Sequence, residues 1–287
     1  MTQIKRYEFR DMPEETVAKF EKLRRSLKKM GNVLVAFSGG VDSTFLVRVA
    51  QVELGDRVMA VIASSPSYPK KETDGAVALA EEMNVRYKVI QSKEMDNPHY
   101  VSNPPDRCYY CKTELFSDFK RIAEEEGIAH VLDGSNHDDL DDYRPGLEAC
   151  EELGVKSPLR EAGLGKEEIR ALSKQMGLPT WDKPSMACLA SRFPYETKID
   201  EASLNQVAQA EEYLRSLGFH QVRVRHHGQV ARIEVEGQDV HKLAEPTMRG
   251  KIVENMKALG YAYVTLDLAG YRSGSMNEPL AKKYNQE

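Results

Sequence analysis

The sequence has no long apolar run. The longest, Val58 to Ala63, falls far short of the ~20 residues that a membrane-spanning helix needs. The stretch Met1 to Glu8 carries Lys5, Arg6 and Glu8 where a secretory leader would need apolar residues. Neither secretion nor a membrane span is expected, and the chain reads as cytoplasmic. Cysteine is scarce as well: 4 residues in 287 exclude a disulfide framework and point to reduced thiols acting as ligands or catalysts. An excess of positive charge is also missing. Lys and Arg number 40 against 45 Asp and Glu, a net charge of -5, so no global footprint for nucleic acid is present. No Gly-Lys-Ser/Thr occurs, which rules out a Walker loop, and the Gly39-Gly40 turn lacks the third glycine of the dinucleotide fingerprint. Internal repeats and low-complexity segments are absent too.

What is there begins at residue 33. The apolar run Val33-Leu34-Val35-Ala36-Phe37 leads into Ser38-Gly39-Gly40-Val41-Asp42-Ser43, and an apolar-periodic segment follows to about Leu54. That order reads as strand, tight loop and helix. Free N–H groups and the helix dipole at such a junction favour an anion. The neighbouring segments alternate in the same way: a helix with Val17, Phe20, Leu23 and Leu27 on one face, a strand Val58 to Ala63, a helix Lys70 to Asn84, a strand Val85 to Ile90, a helix Tyr109 to about Glu126, and a strand Ala129 to Asp133. Alternation of this kind predicts an α/β domain, a parallel sheet with helices on both faces. Further helices are expected from Arg144 and from Gly165 to Met176, with an aperiodic loop between Thr180 and Tyr195. From Glu201 the pattern changes to helix, two alternating strands (His220 to His226, Gln229 to Glu236), a helix Pro246 to Leu259 and a strand Tyr261 to Asp267. This predicts two domains, 1–196 and a small C-terminal α+β domain at 197–287.

The thiols form one constellation. Cys108-Tyr109-Tyr110-Cys111 lies at a predicted helix N-terminus, a position that favours thiolates, and Cys188 lies in the aperiodic loop. Three thiolates can hold an iron–sulfur cluster by three corners. A structural zinc would need His99 or His137 as a fourth ligand, and a thioredoxin-type redox pair is disfavoured because the motif follows a proline-rich loop instead of opening a βαβ unit; spacing alone leaves cluster, zinc and unliganded thiols open. Cys150 falls at helical spacing with Leu147 and Leu153 and reads as core.

Ser38 to Ser43 resembles the pyrophosphate loop of the N-type ATP pyrophosphatases, the PP-loop superfamily. Five segments narrow the resemblance: that loop; Asp142-Tyr143-Arg144-Pro145-Gly146-Leu147; Ala187-Cys188 with Ser191-Arg192-Phe193-Pro194-Tyr195; Tyr213 to Phe219 with Val222-Arg223-Val224-Arg225; and Tyr263 to Leu268 with Arg272-Ser273-Gly274. Together they are similar to the LarE family of sulfur transferases over almost the whole chain. The resemblance implies use of ATP to adenylylate carboxylates of a pyridinium mononucleotide and replacement of oxygen by sulfur, a step in making the nickel-pincer cofactor of lactate racemase. One version of the family carries a single cysteine that gives up its own sulfur; another carries three thought to hold a 4Fe–4S cluster. Cys108, Cys111 and Cys188 resemble the second, and the sacrificial use of Cys188 remains the alternative.

On this reading Ser38, Gly39, Gly40, Asp42 and Ser43 bind ATP, with Mg²⁺ and Lys183 neutralising the pyrophosphate. Asp42 orients the loop or holds the metal, with Asp138, Asp139 and Asp142 as alternative metal partners; acidic loops are often merely solvated. Arg223 and Arg225 alternate on one strand, so they share a face and, with Arg192, are expected to grip the substrate phosphate; the bland alternative is surface ion pairing. The implied partners are the mononucleotide, a sulfide source, other proteins of nickel-pincer cofactor synthesis, and copies of the chain itself in a hexamer. Rival readings are a tRNA thiolation enzyme, which the charge disfavours; an ammonia-using synthetase, which would leave the cysteines without purpose; and a nucleotide-sensing or metal-storage module.

Overall fold

A computed structural model describes residues 9, 11–141, 145–184, 187–272 and 274–277. Two compact units result, one of Met1–Tyr100 with Asp106–Ser185 and the other of Val101–Pro105 with Met186–Glu287. No helix among the described residues is long and apolar enough to cross a membrane.

In the first unit the helix α1 (Glu14–Met30) precedes β1 (Val33–Ala36), α2 (Val41–Leu54), β2 (Val58–Ser64), α3 (Lys70–Glu82) and β3 (Arg86–Gln91). After a short α4 (Pro98–Val101), α5 (Arg107–Glu125), β4 (His130–Leu132), α6 (Pro145–Glu152), α7 (Pro158–Ala162) and α8 (Lys166–Gln175) follow. The sheet order is β3-β2-β1-β4, and every pairing is parallel, with Val35 opposite Ala60 on one side and Leu132 on the other. The expected α/β architecture is therefore present. The period-two geometry of a strand divides β1 and β2 between two cores. Val33, Val35, Val58, Ala60 and Ile62 pack with α1, α2 and α8 through Leu23, Phe45 and Leu172. Leu34, Met59 and Val61 pack on the opposite face against Phe116, Phe119 and Ile122 of α5. Burial on both faces is why these strands read as unbroken apolar runs.

The second unit contains α9 (Glu201–Ser216), β5 (Val222–His227), β6 (Val230–Val235), α10 (Val240–Ala244), α11 (Pro246–Ala258) and β7 (Tyr263–Leu266). Asp200 caps α9 by accepting from Ser203 N at 2.8 Å. β5 and β6 are antiparallel and β6 and β7 parallel, and one face packs Val222, Val224 and Ile233 against Leu214, Ile252 and Met256. Residues 187–196, read from sequence as the end of the first domain, group with this unit. Asn103 ties them there: its Nδ2 donates to Pro194 O at 2.7 Å and its backbone carbonyl accepts from Glu196 N at 2.9 Å.

Between β1 and α2, Gly39 adopts φ +66°, and a Cβ there would meet Ala76 of α3 at 3.0 Å. Conformation and space both require glycine. Gly39→Ala is expected to lower stability by ~1–3 kcal/mol, read as a fall in the urea midpoint; an unchanged midpoint would show that the loop relaxes without strain.

Candidate active site

The chain leaves β1 and builds β2 and β3 on one side before returning as β4 on the other. The loop Ser38 to Ser43 thus lies at the carboxyl end of β1, at the point where the strand order reverses, where open α/β sheets bind ligands. Gly134, after β4, comes so close that a Cβ on it would lie 3.3 Å from Ser43 N. Inside the loop, Ser38 Oγ and Ser43 Oγ are 3.0 Å apart, Gly40 N donates to Ser38 Oγ at 3.3 Å, and Ser43 Oγ donates to Gly40 O at 3.3 Å. These bonds hold the hydroxyls at the first turn of α2, beside its unpaired N–H groups.

Two ammonium groups sit at this loop. Lys183 Nζ donates to Gly39 O at 3.1 Å and to Glu72 Oε2 of α3 at 2.7 Å. Its segment is fixed by Arg170 of α8, which donates to Trp181 O at 2.7 Å and to Lys183 O at 2.8 Å. Lys166, the first residue of α8, donates Nζ to Asp42 Oδ2. The other carboxylate oxygen, Asp42 Oδ1, is buried with no hydrogen-bond partner among the described residues. Mg²⁺ commonly takes one or two carboxylates together with substrate phosphates, and an unspent buried carboxylate oxygen at a helix N-terminus fits that requirement.

The other acidic residues are used within the fold. Asp138 Oδ2 accepts from Lys166 N at 2.8 Å at the start of α8, and Asp139 Oδ2 accepts from Asn136 N at 2.9 Å. Asp142 lies outside the described residues, as do Tyr143, Arg144, Ser185, Met186 and Ser273.

None of the four cysteines is in a disulfide. Cys108 is exposed and Cys111 half-buried on the first turn of α5 in the first unit; Cys188 is half-buried and belongs to the second. Cys150 is buried in the α5 core, and burial pushes its thiol up to about 11, so it stays protonated. Among the described residues no three or more His, Cys, Asp or Glu side chains are gathered as a metal ion would require.

The arginines expected at a phosphate have other occupations. Arg192 is fully buried and donates Nε and Nη2 to the two carboxylate oxygens of Glu211 on α9 at 2.7 and 3.0 Å. Its Nη1 grips Ala187 O at 2.9 Å, Cys188 O at 3.1 Å and Ser191 Oγ at 2.8 Å. Arg225 makes a bidentate pair with Glu234 of β6 at 2.9 and 2.7 Å and donates to Ser191 O at 2.8 Å. Arg223 shares that strand face, as alternation requires. It is 3% exposed, donates to Val222 O and lies over the Tyr271 ring, and burial together with the Arg192 charge lowers its guanidinium to about 10. Arg192 and Arg225 thus hold the 187–191 segment that carries Cys188, a role that alternation along one strand does not announce.

Lys166, Glu72 and Glu211 do not stand out in the sequence as site residues. For Lys166 a signal existed, since a cation at the first position of a helix opposes the macrodipole and calls for a separate reason. Glu72 and Glu211 lie on ordinary amphipathic helices and carry no such mark.

Residues 16–102 match the NAD synthase family. Over 258 residues the chain is 42% identical to the pyridinium-3,5-bisthiocarboxylic acid mononucleotide synthase of Lactiplantibacillus plantarum, covering 90% of this chain and 93% of that protein. It is 43% identical over 265 residues to an uncharacterized protein of Synechocystis, covering 92% of this chain and 99% of that one. A more distant likeness, 25% over 165 residues, links 54% of this chain to 54% of one chain of the glutamine-hydrolysing GMP synthase of Archaeoglobus fulgidus.

Burial alone would raise the Glu211 carboxyl, but the Arg192 guanidinium holds it below the ordinary value of 4.5. Its stabilising contribution is therefore complete above that ordinary value and is lost as pH falls through the lowered one. Glu211→Ala leaves Arg192 buried without its carboxylate, and a loss of ~3–5 kcal/mol is expected. Calorimetry from pH 7 down to pH 3 checks both, since the variant's unfolding should show the weaker acid dependence; identical pH profiles would remove Glu211 as the keystone.

Proposed function

This chain belongs to the LarE family of PP-loop sulfur transferases, and from that premise we propose that it converts carboxylates of a pyridinium-3,5-biscarboxylic acid mononucleotide into thiocarboxylates at the expense of ATP. The observation that carries the reading is the Ser38 to Ser43 loop at the β1/β4 strand reversal with two ammonium groups beside it.

A carboxylate cannot exchange oxygen for sulfur directly, because oxide is not a leaving group. In the proposed reaction a substrate carboxylate oxygen attacks the α-phosphorus of ATP, the bond from that phosphorus to the β-phosphate oxygen breaks, and pyrophosphate departs. The loop N–H groups, the Ser38 and Ser43 hydroxyls and Lys183 stabilise the charge that collects on it. Asp42 would hold Mg²⁺, which would supply Lewis-acid neutralisation of the phosphates. Sulfur then adds to the acyl carbon of the adenylate, and AMP leaves with the former carboxylate oxygen. Cys108, Cys111 and Cys188 are proposed to hold a 4Fe–4S cluster by three corners, which supplies an open iron site for sulfide. Partial exposure of all three thiols is compatible with this, whereas Cys150 is withdrawn into the core; the three are not gathered as a metal site among the described residues, so the proposal rests on the family likeness. Arg192 and Arg225 fix the segment on which Cys188 sits, and Arg223, a desolvated cation on the same strand as Arg225, is the proposed substrate-phosphate contact; Arg192 and Arg225 would join it only by giving up bonds to Glu211, Glu234 and the 187–191 segment. The chain is proposed to act in the cytoplasm as a homo-oligomer, a hexamer by family likeness.

Two sets of variants separate activation from sulfur delivery. Asp42→Ala or Ser38→Ala is expected to reduce ATP-dependent pyrophosphate release by on the order of 10²-fold; wild-type release by a folded variant would remove the loop from the chemistry. Replacing Cys108, Cys111 or Cys188 by Ala should abolish both the visible iron chromophore of reconstituted protein and thiocarboxylate formation, while pyrophosphate release continues. Cys150→Ala should retain all three. Dehydroalanine at position 188 after a single turnover, seen by mass spectrometry, would instead establish Cys188 as the sulfur donor.

A further inference from the structure

Lys166 lies where a helix tolerates a cation least, at the first position of α8, yet the structure fixes it there from several directions. Its N–H donates to Asp138 Oδ2 at 2.8 Å. The preceding Gly165 packs so closely that a Cβ would lie 2.9 Å from Asp138 Oδ1, and its N–H donates to Glu168 Oε2 at 2.9 Å. Glu168 is in turn held by Thr16 Oγ1 at 2.8 Å and Lys19 Nζ at 3.1 Å on α1. All of this anchoring delivers one ammonium group to one oxygen, Asp42 Oδ2, and leaves Asp42 Oδ1 buried with no partner among the described residues.

We propose that Lys166 is a positioning residue that occupies Asp42 in place of the divalent cation, so that Asp42 takes its metal only when the metal arrives with nucleotide. The inference rests on the reading that the loop binds metal–ATP. An ammonium on Oδ2 leaves Oδ1 buried and unspent, and its charge repels a bare divalent cation. A polyphosphate changes that balance, because its own charge neutralises both the metal and Lys166, and the carboxylate can then exchange an ammonium partner for a metal. The device makes metal loading depend on ATP and keeps stray divalent cations off the loop. Lys183 is held by Glu72 and Gly39 O and Lys166 by Asp42, so the two lysines are distinguishable.

Mn²⁺ titration of the purified full chain, followed by electron paramagnetic resonance with and without a non-hydrolysable ATP analogue, tests this. Wild type should bind Mn²⁺ at Asp42 only with the analogue. Lys166→Met and Lys166→Gln should bind Mn²⁺ without nucleotide about tenfold more tightly than wild type. Lys166→Arg should restore the dependence on nucleotide, and Asp42→Asn introduced into Lys166→Met should erase the gained site. Unchanged nucleotide-free affinity in both neutral variants, alongside normal binding with the analogue, overturns the inference alone. Absence of analogue-dependent Mn²⁺ binding in wild type overturns the metal–ATP reading and the inference with it.

Discussion

The central pairing of β1 with β2 on one side and β4 on the other sets where everything else in the first unit lies. β1 contributes Val33 and Val35 to one core and Leu34 to the other, so a one-residue slip would exchange the two sets. Because the register is fixed, the end of the strand is fixed, and the Ser/Gly loop begins at a defined height beside Gly134. The crossover helix α3, between β2 and β3, and α8, which follows β4, then come alongside that loop, one with Glu72 and the other with Lys166. Chemistry at the loop follows from sheet order more than from any local motif.

In the second unit the comparable constraint is a buried carboxylate. Glu211, fully inside the unit, accepts from Arg192, from Arg215 and from Val224 N, and so joins the Cys188 segment, α9 and β5 through one side chain. Such a network is a poor source of net stability compared with an apolar core. It does specify geometry, because every guanidinium N–H of Arg192 that points elsewhere would have to be desolvated without a partner.

Much of this was legible in the sequence, for reasons tied to particular residues. Strands β1 and β2 were legible because burial on both faces leaves an apolar run; α1, α5 and α9 were legible from their periodicity; Cys150 was legible as core from its spacing with Leu147 and Leu153. Alternation placed Arg223 and Arg225 on one face. It could not show that the face is buried, because Glu234, the partner of Arg225, lies on another strand and the Tyr271 ring under Arg223 lies beyond β7, and contacts across elements leave no mark within one strand. Lys166 and Glu72 escaped for the same reason: ion pairs between distant elements leave no local pattern. The short α10, a single turn or so at Val240–Ala244, has too few residues to show a period.

In the proposed reaction ATP turns a carboxylate oxygen into a leaving group before sulfur arrives. Substrate mononucleotide labelled with heavy oxygen in its carboxylates, incubated with the protein, ATP and a sulfide source, tests it most directly by mass spectrometry of the released AMP and pyrophosphate. Heavy oxygen should appear in AMP, one atom for each thiocarboxylate formed, and not in pyrophosphate. Unlabelled AMP, or thiocarboxylate formed without AMP, would contradict the account.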